Sequence, residues 1–537
     1  MELIFLLVVI GLMFAVPLKA AGVDEKAPVS AEAEALFQLA EKYSSGEGVP
    51  KDDDQAFNCL LKAAEKGHPE AQFNLGLMYD QKGPERDLVK AARWFRFAAE
   101  QGEPLAQYYL GSMIAYGEIE AADPLEAVKW LRLAIEGGIA DAEYELGVLY
   151  LLGEGVEADV KEALKLLRNA AEQGVVEAEV RLGEVYYEGQ WLKPNKKEAY
   201  KWFRLAAERG NAVAQHNVGV MYSRGEVVAP DEKEAFKWFR LAAEQGYAEA
   251  QYNVGLMYAR GEGVAQDEKE ALKWFRLAAE AGLSEAQLGL GVMFFQGQGV
   301  EGNEIEGLKW IRQAAEIGDP DALFQLGACF LFGEGVKKDP QEAFKWFLKA
   351  AEKGHVHAKF NLGNMYWRGE GAPQNPKKAA KWFRQAAEAG DALSQMKLGV
   401  CYHEGLGCPL NYAEACKWYR LAAEQGNAEA QYFLGDCIFN GDGAPKDEKE
   451  AAKWFRQAAD KGIKDAQFEL GIMYLNGEGV AVNQREGLRW FHLAAKNGHQ
   501  EAQLALMEMY ETGDLVPKNP EKAAKYRLMA EQNDSKD

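Results

Sequence analysis

Few residues of this chain stand where unlike chemistries could converge. Ser394 and Lys397 are three apart, an S-x-x-K pairing of a hydroxyl nucleophile with an amine able to take its proton, which suits acyl transfer. His355 and His357 could offer imidazole nitrogens to a metal, but no cysteine or third histidine stands at ligand spacing. Recurrent Gly-Glu-Gly-Val loops resemble phosphate cradles, yet no strand precedes them, and neither H-E-x-x-H nor a Gly-Lys-Ser/Thr step occurs. Catalysis needs groups of different type meeting at one point. The S-x-x-K pair lies in a helical segment with no accompanying partner motif. No catalytic residue, cofactor or metal site is therefore expected.

What positions every side chain here is repetition. A Leu/Val-Gly step recurs from Gly76 to Gly471 at intervals of 36 residues, the first interval alone being 35. Ala40 and Met507 hold the same phase at the two ends, where the pattern degenerates. A fixed period of this length means stacked modules rather than one globule. In the stretch from Tyr247 to Gly282, the first half places Ala250, Val254, Met257 and Tyr258 on one helical face. Gly261 and Gly263 then break the helix. Asp267 can cap the next one, with Glu270 completing a capping box; elsewhere the slot reads Asp339-Pro340 or Asn375-Pro376. The second helix presents Ala271, Trp274, Phe275, Ala278 and Ala279, and Gly282 stops it. Each pair is too small to bury its own faces, so stacking must create the core. The tryptophans at fixed phase, from Trp94 to Trp490, fill the gaps between neighbours.

The 537 residues carry a formal charge of −22, with 83 acidic against 61 basic side chains. That balance argues against nucleic acid, which needs a basic track to displace counterions. Leu3 to Val16 is an apolar run followed by Pro17, Ala20 and Ala21, as in a secretory signal peptide over residues 1–21. Glu2 and Lys19 depart from that pattern, and an uncleaved membrane anchor is the alternative. No other stretch reaches membrane length, so no membrane contact is expected beyond this segment. Of six cysteines, Cys329, Cys401 and Cys437 share one repeat position and Cys59 replaces the tryptophan, which makes them small buried fillers. Only Cys408 and Cys416 lie in one repeat and could pair.

The pattern A-x-x-x-L-G-x-x-Y-x-x-G-x-G-V, then D-x-x-x-A-x-x-W-[FY]-x-x-A-A-x-x-G, resembles the Sel1-like repeat of the tetratricopeptide-like superfamily. The likeness covers residues 31–533 as one continuous array, leaving 534–537 as a short tail. It implies an all-α fold, a right-handed superhelical α-solenoid of about 14 antiparallel helix pairs. Departures include a loop residue lost near Lys82-Gly83, Ile114 in the tyrosine slot, Leu166 in the tryptophan slot, Gln190-Trp191 in a loop, and Tyr526 in the last repeat. The implied function is a non-enzymatic scaffold or adaptor binding protein or peptide partners along a concave surface, in an exported compartment, periplasmic or secreted. Two alternatives follow from relatives: a cell-wall or β-lactam-related enzyme of the cysteine-rich Sel1-like type, toward which Ser394 would point, and an adaptor of a degradation complex in the endoplasmic reticulum lumen. The chain end, Asn533 to Asp537, carries no clear retention signal for the latter.

The resemblance also implies that the residue before the Leu/Val-Gly step faces the groove; it is asparagine at Asn74, Asn217, Asn253 and Asn361, able to bond an extended backbone as donor and acceptor. The residue after the tyrosine slot reads Phe295, Leu331, Trp367, His403, Phe439 and Leu475, about 140° around the helix from the core leucine. Phe324, Phe360 and Tyr432 flank it on one side, Val292, Val400 and Ile472 on the other. This second apolar stripe reads either as a binding surface or as a face packed on the next first helix. Trp367 favours binding, since indoles anchor interfaces.

Overall fold

The computed structural model describes residues 29–81, 86–119 and 123–534. The expected signal segment and the Lys82-Gly83 step lie outside the described residues, as do residues 535–537. Among the described residues there are 28 helices and no strand. They fall into two compact bodies, residues 1–266 and 267–537. The first holds six hairpins, from Ala31–Ser45 with Asp53–Glu65 to Ala212–Arg224 with Glu232–Glu244, and then helix Ala248–Arg260. The second opens on Glu268–Glu280 and continues with seven hairpins, ending at Gln500–Thr512 with Pro520–Asp534. Within each body every helix packs on the one before it and the one after it.

Local signals account for the hairpins. Asp339 Oδ1 accepts the Glu342 N–H at 3.0 Å, with Pro340 at the first helical position. Asp267 likewise caps Lys269 and Glu270 at 2.9 and 3.1 Å. The capping box does not close: Glu270 turns to Lys273 at 3.4 Å, and Glu342 to Lys345 at 2.7 Å. At Asp339 the reason is visible, because its own N–H already donates to the Phe330 carbonyl at 2.8 Å. Two glycine slots are dictated by space. A Cβ at Gly363 would lie 2.4 Å from the Phe383 ring of the partner helix. A Cβ at Gly371 would lie 2.2 Å from the Pro340 carbonyl oxygen of the preceding repeat, and φ there is +76°.

Repeats are joined by four recurrent contacts. The tryptophan of one repeat reaches the core of the repeat before it: Trp490, 3% exposed, lies under the Arg456 guanidinium and shares a cluster with Phe455 and Ala459 of the preceding repeat and with Leu470 and Met473 of its own. Second-helix arginines donate to the tyrosine hydroxyl of the next first helix, as Arg132 does to Tyr150 at 2.7 Å and Arg384 does to Tyr402. In nine of the fourteen first helices a buried glutamine donates to the carbonyl of an alanine eight residues back, in the preceding second helix. Gln107 to Ala99, Gln395 to Ala387 and Gln467 to Ala459 do so at 3.1, 3.2 and 2.9 Å. Finally, three first helices are capped by a histidine that the repeat behind them holds in place. His355 Nδ1 accepts the Ala358 N–H at 3.1 Å, its Nε2 faces Asp321 at 3.1 Å, and its ring stacks on Phe324 at 4.4 Å. His68 and His499 repeat this arrangement on Phe37 and Phe468.

The sequence departures find local answers. Ile114 and Leu166 are buried like the residues they replace. Trp191, out of phase in its loop, donates its indole N–H to the Leu151 carbonyl at 3.0 Å. In the last repeat the Tyr526 hydroxyl meets His492 Nδ1 at 2.8 Å. All six cysteines are free, five of them buried. Cys408 lies beside Cys401 and Arg384, and the thiol that Cys416 meets is Cys437 of the next repeat.

One glutamine slot holds Glu179, fully buried, with neither carboxylate oxygen hydrogen-bonded and Arg209 at 3.4 Å. Burial pushes its carboxyl up, Arg209 opposing and Glu177 adding to the rise. A carboxyl raised in the folded state favours folding at low pH and costs stability once ionised. Glu179→Gln should therefore stabilise the chain at pH 7 by about 1–3 kcal/mol, the scale of an unsatisfied buried group. In urea titrations that gain should shrink as pH falls and the glutamic acid regains a proton to donate. A gain independent of pH would contradict the assignment.

The histidine caps titrate in the opposite sense. An Nδ1 that accepts the helix N–H requires neutral imidazole, and burial holds His355 and His499 below the usual histidine range. Asp321 and Asp319 oppose this at His355, while His357 reinforces it. Since the folded value lies below the unfolded one of about 6.5, the stability is fully present above that pH and is lost as pH falls through it. The double variant His355→Asn, His499→Asn, which keeps a capping oxygen as Asn427 does, should lose less melting temperature than the parent between pH 7 and 5. Equal losses would show that the caps do not titrate.

Candidate functional site

The six residues following the tyrosine slot are all half-buried, each against the second helix of its own repeat. Phe295 lies over Gly307, whose added Cβ would stand 2.8 Å from the Phe295 ring, and Leu475 lies over Gly487 in the same way at 2.9 Å. Trp367 tilts on Phe383 with ring centroids 6.4 Å apart, as Phe439 does on Phe455. His403 meets Tyr419 at 6.3 Å and Tyr412 at 5.2 Å, and Leu331 packs against the cluster around Phe347. The flanking slot contacts the same second-helix aromatics: Phe324 with Phe347 at 5.6 Å, Phe360 with Phe383 at 6.1 Å, Tyr432 with Phe455 at 5.9 Å. The stripe is thus one continuous shelf along the first helices of the second body, its inner side resting on the hairpin partner. Phe324 also reaches the next first helix, at the His357 ring 6.3 Å away, so the stripe packs that way in part, and second-helix contact was the packing the sequence pattern left unseen.

Asn217, Asn253 and Asn361 are half-buried as well. Asn253 Nδ2 is 3.0 Å from His216 Nε2, so one asparagine already spends its amide on a neighbouring repeat. The same slot in other repeats carries charge. Glu469 is held above the ordinary carboxylate range by burial, with Asp436, Glu501, Asp465 and Glu478 adding repulsion. Asp436, just past the repeat glycine in the slot of Val400 and Ile472, is raised by burial too, although His403 and a hydrogen bond from Asn440 at 3.0 Å oppose it. The shelf beside Phe439 and Leu475 therefore carries a strip of carboxylates.

Residues with possible chemistry are placed elsewhere. Ser394 is fully buried with its hydroxyl unpartnered, in a slot that holds Ala358 and Ala430 in other repeats. It faces the core and cannot present a nucleophile beside Lys397. His355 is spent as a helix cap, and His357 lies 3.7 Å from Asp391. Among the described residues no three metal-ligating side chains gather, and no helix is long and apolar enough to cross a membrane. Two open hollows, one around Gln484, Leu488 and His492, the other between Lys446–Lys449 and Gly477–Ala481, bring no nucleophile against a base.

Comparison with known proteins agrees with this geometry. Fourteen consecutive segments, from 33–68 to 501–534, match the Sel1 repeat. No curated protein matches. Among solved structures, c5321, a protective antigen present in uropathogenic Escherichia coli strains and displaying an SLR fold, is 33% identical over 83% of this chain and 94% of its own, with a TM-score of 0.61. A Sel1 repeat protein from Oxalobacter formigenes is 31% identical over 61% of this chain and 93% of its own, with a TM-score of 0.46. Sel1-repeat proteins are in general non-catalytic scaffolds for protein interaction. With fourteen matched segments covering almost all of its described length, this chain belongs to the Sel1 repeat family.

Proposed function

We propose that this protein is a non-enzymatic scaffold that holds an extended peptide or protein segment along the first-helix shelf of its second body. The observation that carries the reading is the row of half-buried apolar side chains, Phe295, Leu331, Trp367, His403, Phe439 and Leu475, repeated at the period of the fold. Each has one side fixed by its second helix and the other toward solvent, so a ligand would meet pre-ordered anchors and little entropy would be lost on binding. Asn361 would bond the ligand backbone beside Trp367, and in the first body Asn217 would offer an equivalent polar contact, whereas Asn253, with its amide on His216, would have only its carbonyl oxygen to give. We place the protein in an exported compartment, periplasmic or secreted, on the strength of the apolar run before Pro17.

The test is a selection of random displayed peptides on the full chain, followed by affinity measurements on the enriched sequences. Trp367→Ala should weaken them about 30-fold, as for an interface anchor worth about 2 kcal/mol. Because Trp367 is only half-buried, the melting temperature should fall by no more than a few degrees. No enriched peptide, or affinities indifferent to both Trp367→Ala and Phe439→Ala, would defeat the reading.

A further inference from the structure

Cys416 on helix Tyr412–Glu424 is 5% exposed, and Cys437 on helix Ala428–Asn440 of the next repeat is 1% exposed. Both belong to one apolar cluster with Tyr419, Leu434 and Ile438. Their thiols are in hydrogen-bonding contact. Cys416 donates in turn to the Asp442 carbonyl at 3.0 Å, in the loop that leaves the second of these helices. The contact is not a general feature of the repeat. Cys329 and Cys401 occupy the same position as Cys437, but the residues standing where Cys416 does, on the second helix before them, are Leu308 and Ala380. Among the three repeats with a cysteine in this first-helix slot, one alone meets a second thiol across the joint.

We propose that Cys416 and Cys437 form a reversible disulfide that staples two neighbouring repeats, a modification site built into this joint of the second body. Cys416 is the attacking thiol. The Cys437 S–H donates to its sulfur and Arg420 lies one turn along the same helix, which together lower its pKa against burial and the nearby Asp442 and Asp436. Cys437, as the donor and the more buried of the two, is held protonated. The oxidant is a small-molecule disulfide, R–S–S–R, of the glutathione class. The Cys416 thiolate attacks one of its sulfurs, the S–S bond of the oxidant breaks, and R–S⁻ leaves and takes up a proton. Cys437 then gives up its proton and attacks the Cys416 sulfur of the mixed disulfide. The Cys416–Cys437 bond forms and the second R–SH departs. Two electrons pass from the thiol pair to the oxidant, which ends as two thiols. Opening of the loop that carries Asp442 gives the oxidant its access. The bridge would tie the helix bearing Phe439 to the repeat behind it, and it stands whether or not that helix binds a peptide.

The full-length protein is incubated, folded, with oxidised glutathione and mapped without reduction. Cleavage after glutamate separates Cys408, in 405–414, from Cys416, in 415–424, and from Cys437, in 430–448. The expected result is loss of two of the six free thiols, a cross-link between the second and third of these peptides, and slower hydrogen exchange in both helices than in the reduced protein. Cys408→Ser should behave as the parent, and Cys416→Ser should show no cross-link at all. Survival of all six thiols, a bridge that includes Cys408, or a lasting mixed disulfide at Cys416 with Cys437 free would each overturn the proposal.

Discussion

No repeat of this chain can close its own core. A hairpin of two helices of about thirteen residues each leaves an apolar face that only the neighbouring hairpin covers. Trp490 shows how: its cluster joins Leu470 and Met473 of its own repeat to Phe455 and Ala459 of the preceding one. The glutamine-to-carbonyl bonds and the arginine-to-tyrosine bonds cross the same seam. They satisfy backbone and hydroxyl groups at the point where two surfaces would otherwise meet with unpaired polar atoms. Periodicity follows from this constraint, because each face must fit the next copy of itself. So do the glycines at which one repeat rests against the backbone of another.

Much of this architecture was legible in sequence, because residues that face the seam must recur in phase. Tryptophan, Leu-Gly and the Asp or Asn caps announce themselves that way. The glutamine joint was equally periodic and went unseen, since a glutamine beside alanine in a helix reads as surface until the carbonyl it serves is located. The histidine caps were masked for a different reason. His68, His355 and His499 occupy a slot that also holds Asn211, Asp319 and Asn427, and only the three-dimensional stack on Phe37, Phe324 and Phe468 distinguishes them. The apolar shelf was found but its packing was not. A first helix is pressed on by its own second helix and by neighbours on both sides, so its apolar residues spread around the helix, and a single-face argument underestimates what is covered.

The same constraint governs how reactive side chains are placed. Side chains of one type recur 36 residues apart, on successive helices rather than around one point. Ser394, the one nucleophile with a suitable neighbour in sequence, sits in an alanine slot of the core. On the function proposed above, the stack would offer an ordered line of anchors, and the departures from the consensus would write its specificity: Trp367 and His403 among phenylalanine and leucine, carboxylates beside Phe439. Joints differ as well. The seam with two thiols can be tightened by oxidation, and those capped by histidine respond to acid. Stiffness can thus vary along one body without any change in fold.

The central claim is that stability passes from neighbour to neighbour through the seam, and Trp490→Ala tests it directly. Removing a large buried aromatic should cost about 3–5 kcal/mol. Hydrogen exchange should accelerate in helices Glu448–Asp460, Lys464–Asn476 and Gln484–Lys496 and leave Val356–Arg368 and Pro376–Glu388 unchanged. Uniform acceleration across residues 267–537, or none near the substitution, would contradict the account.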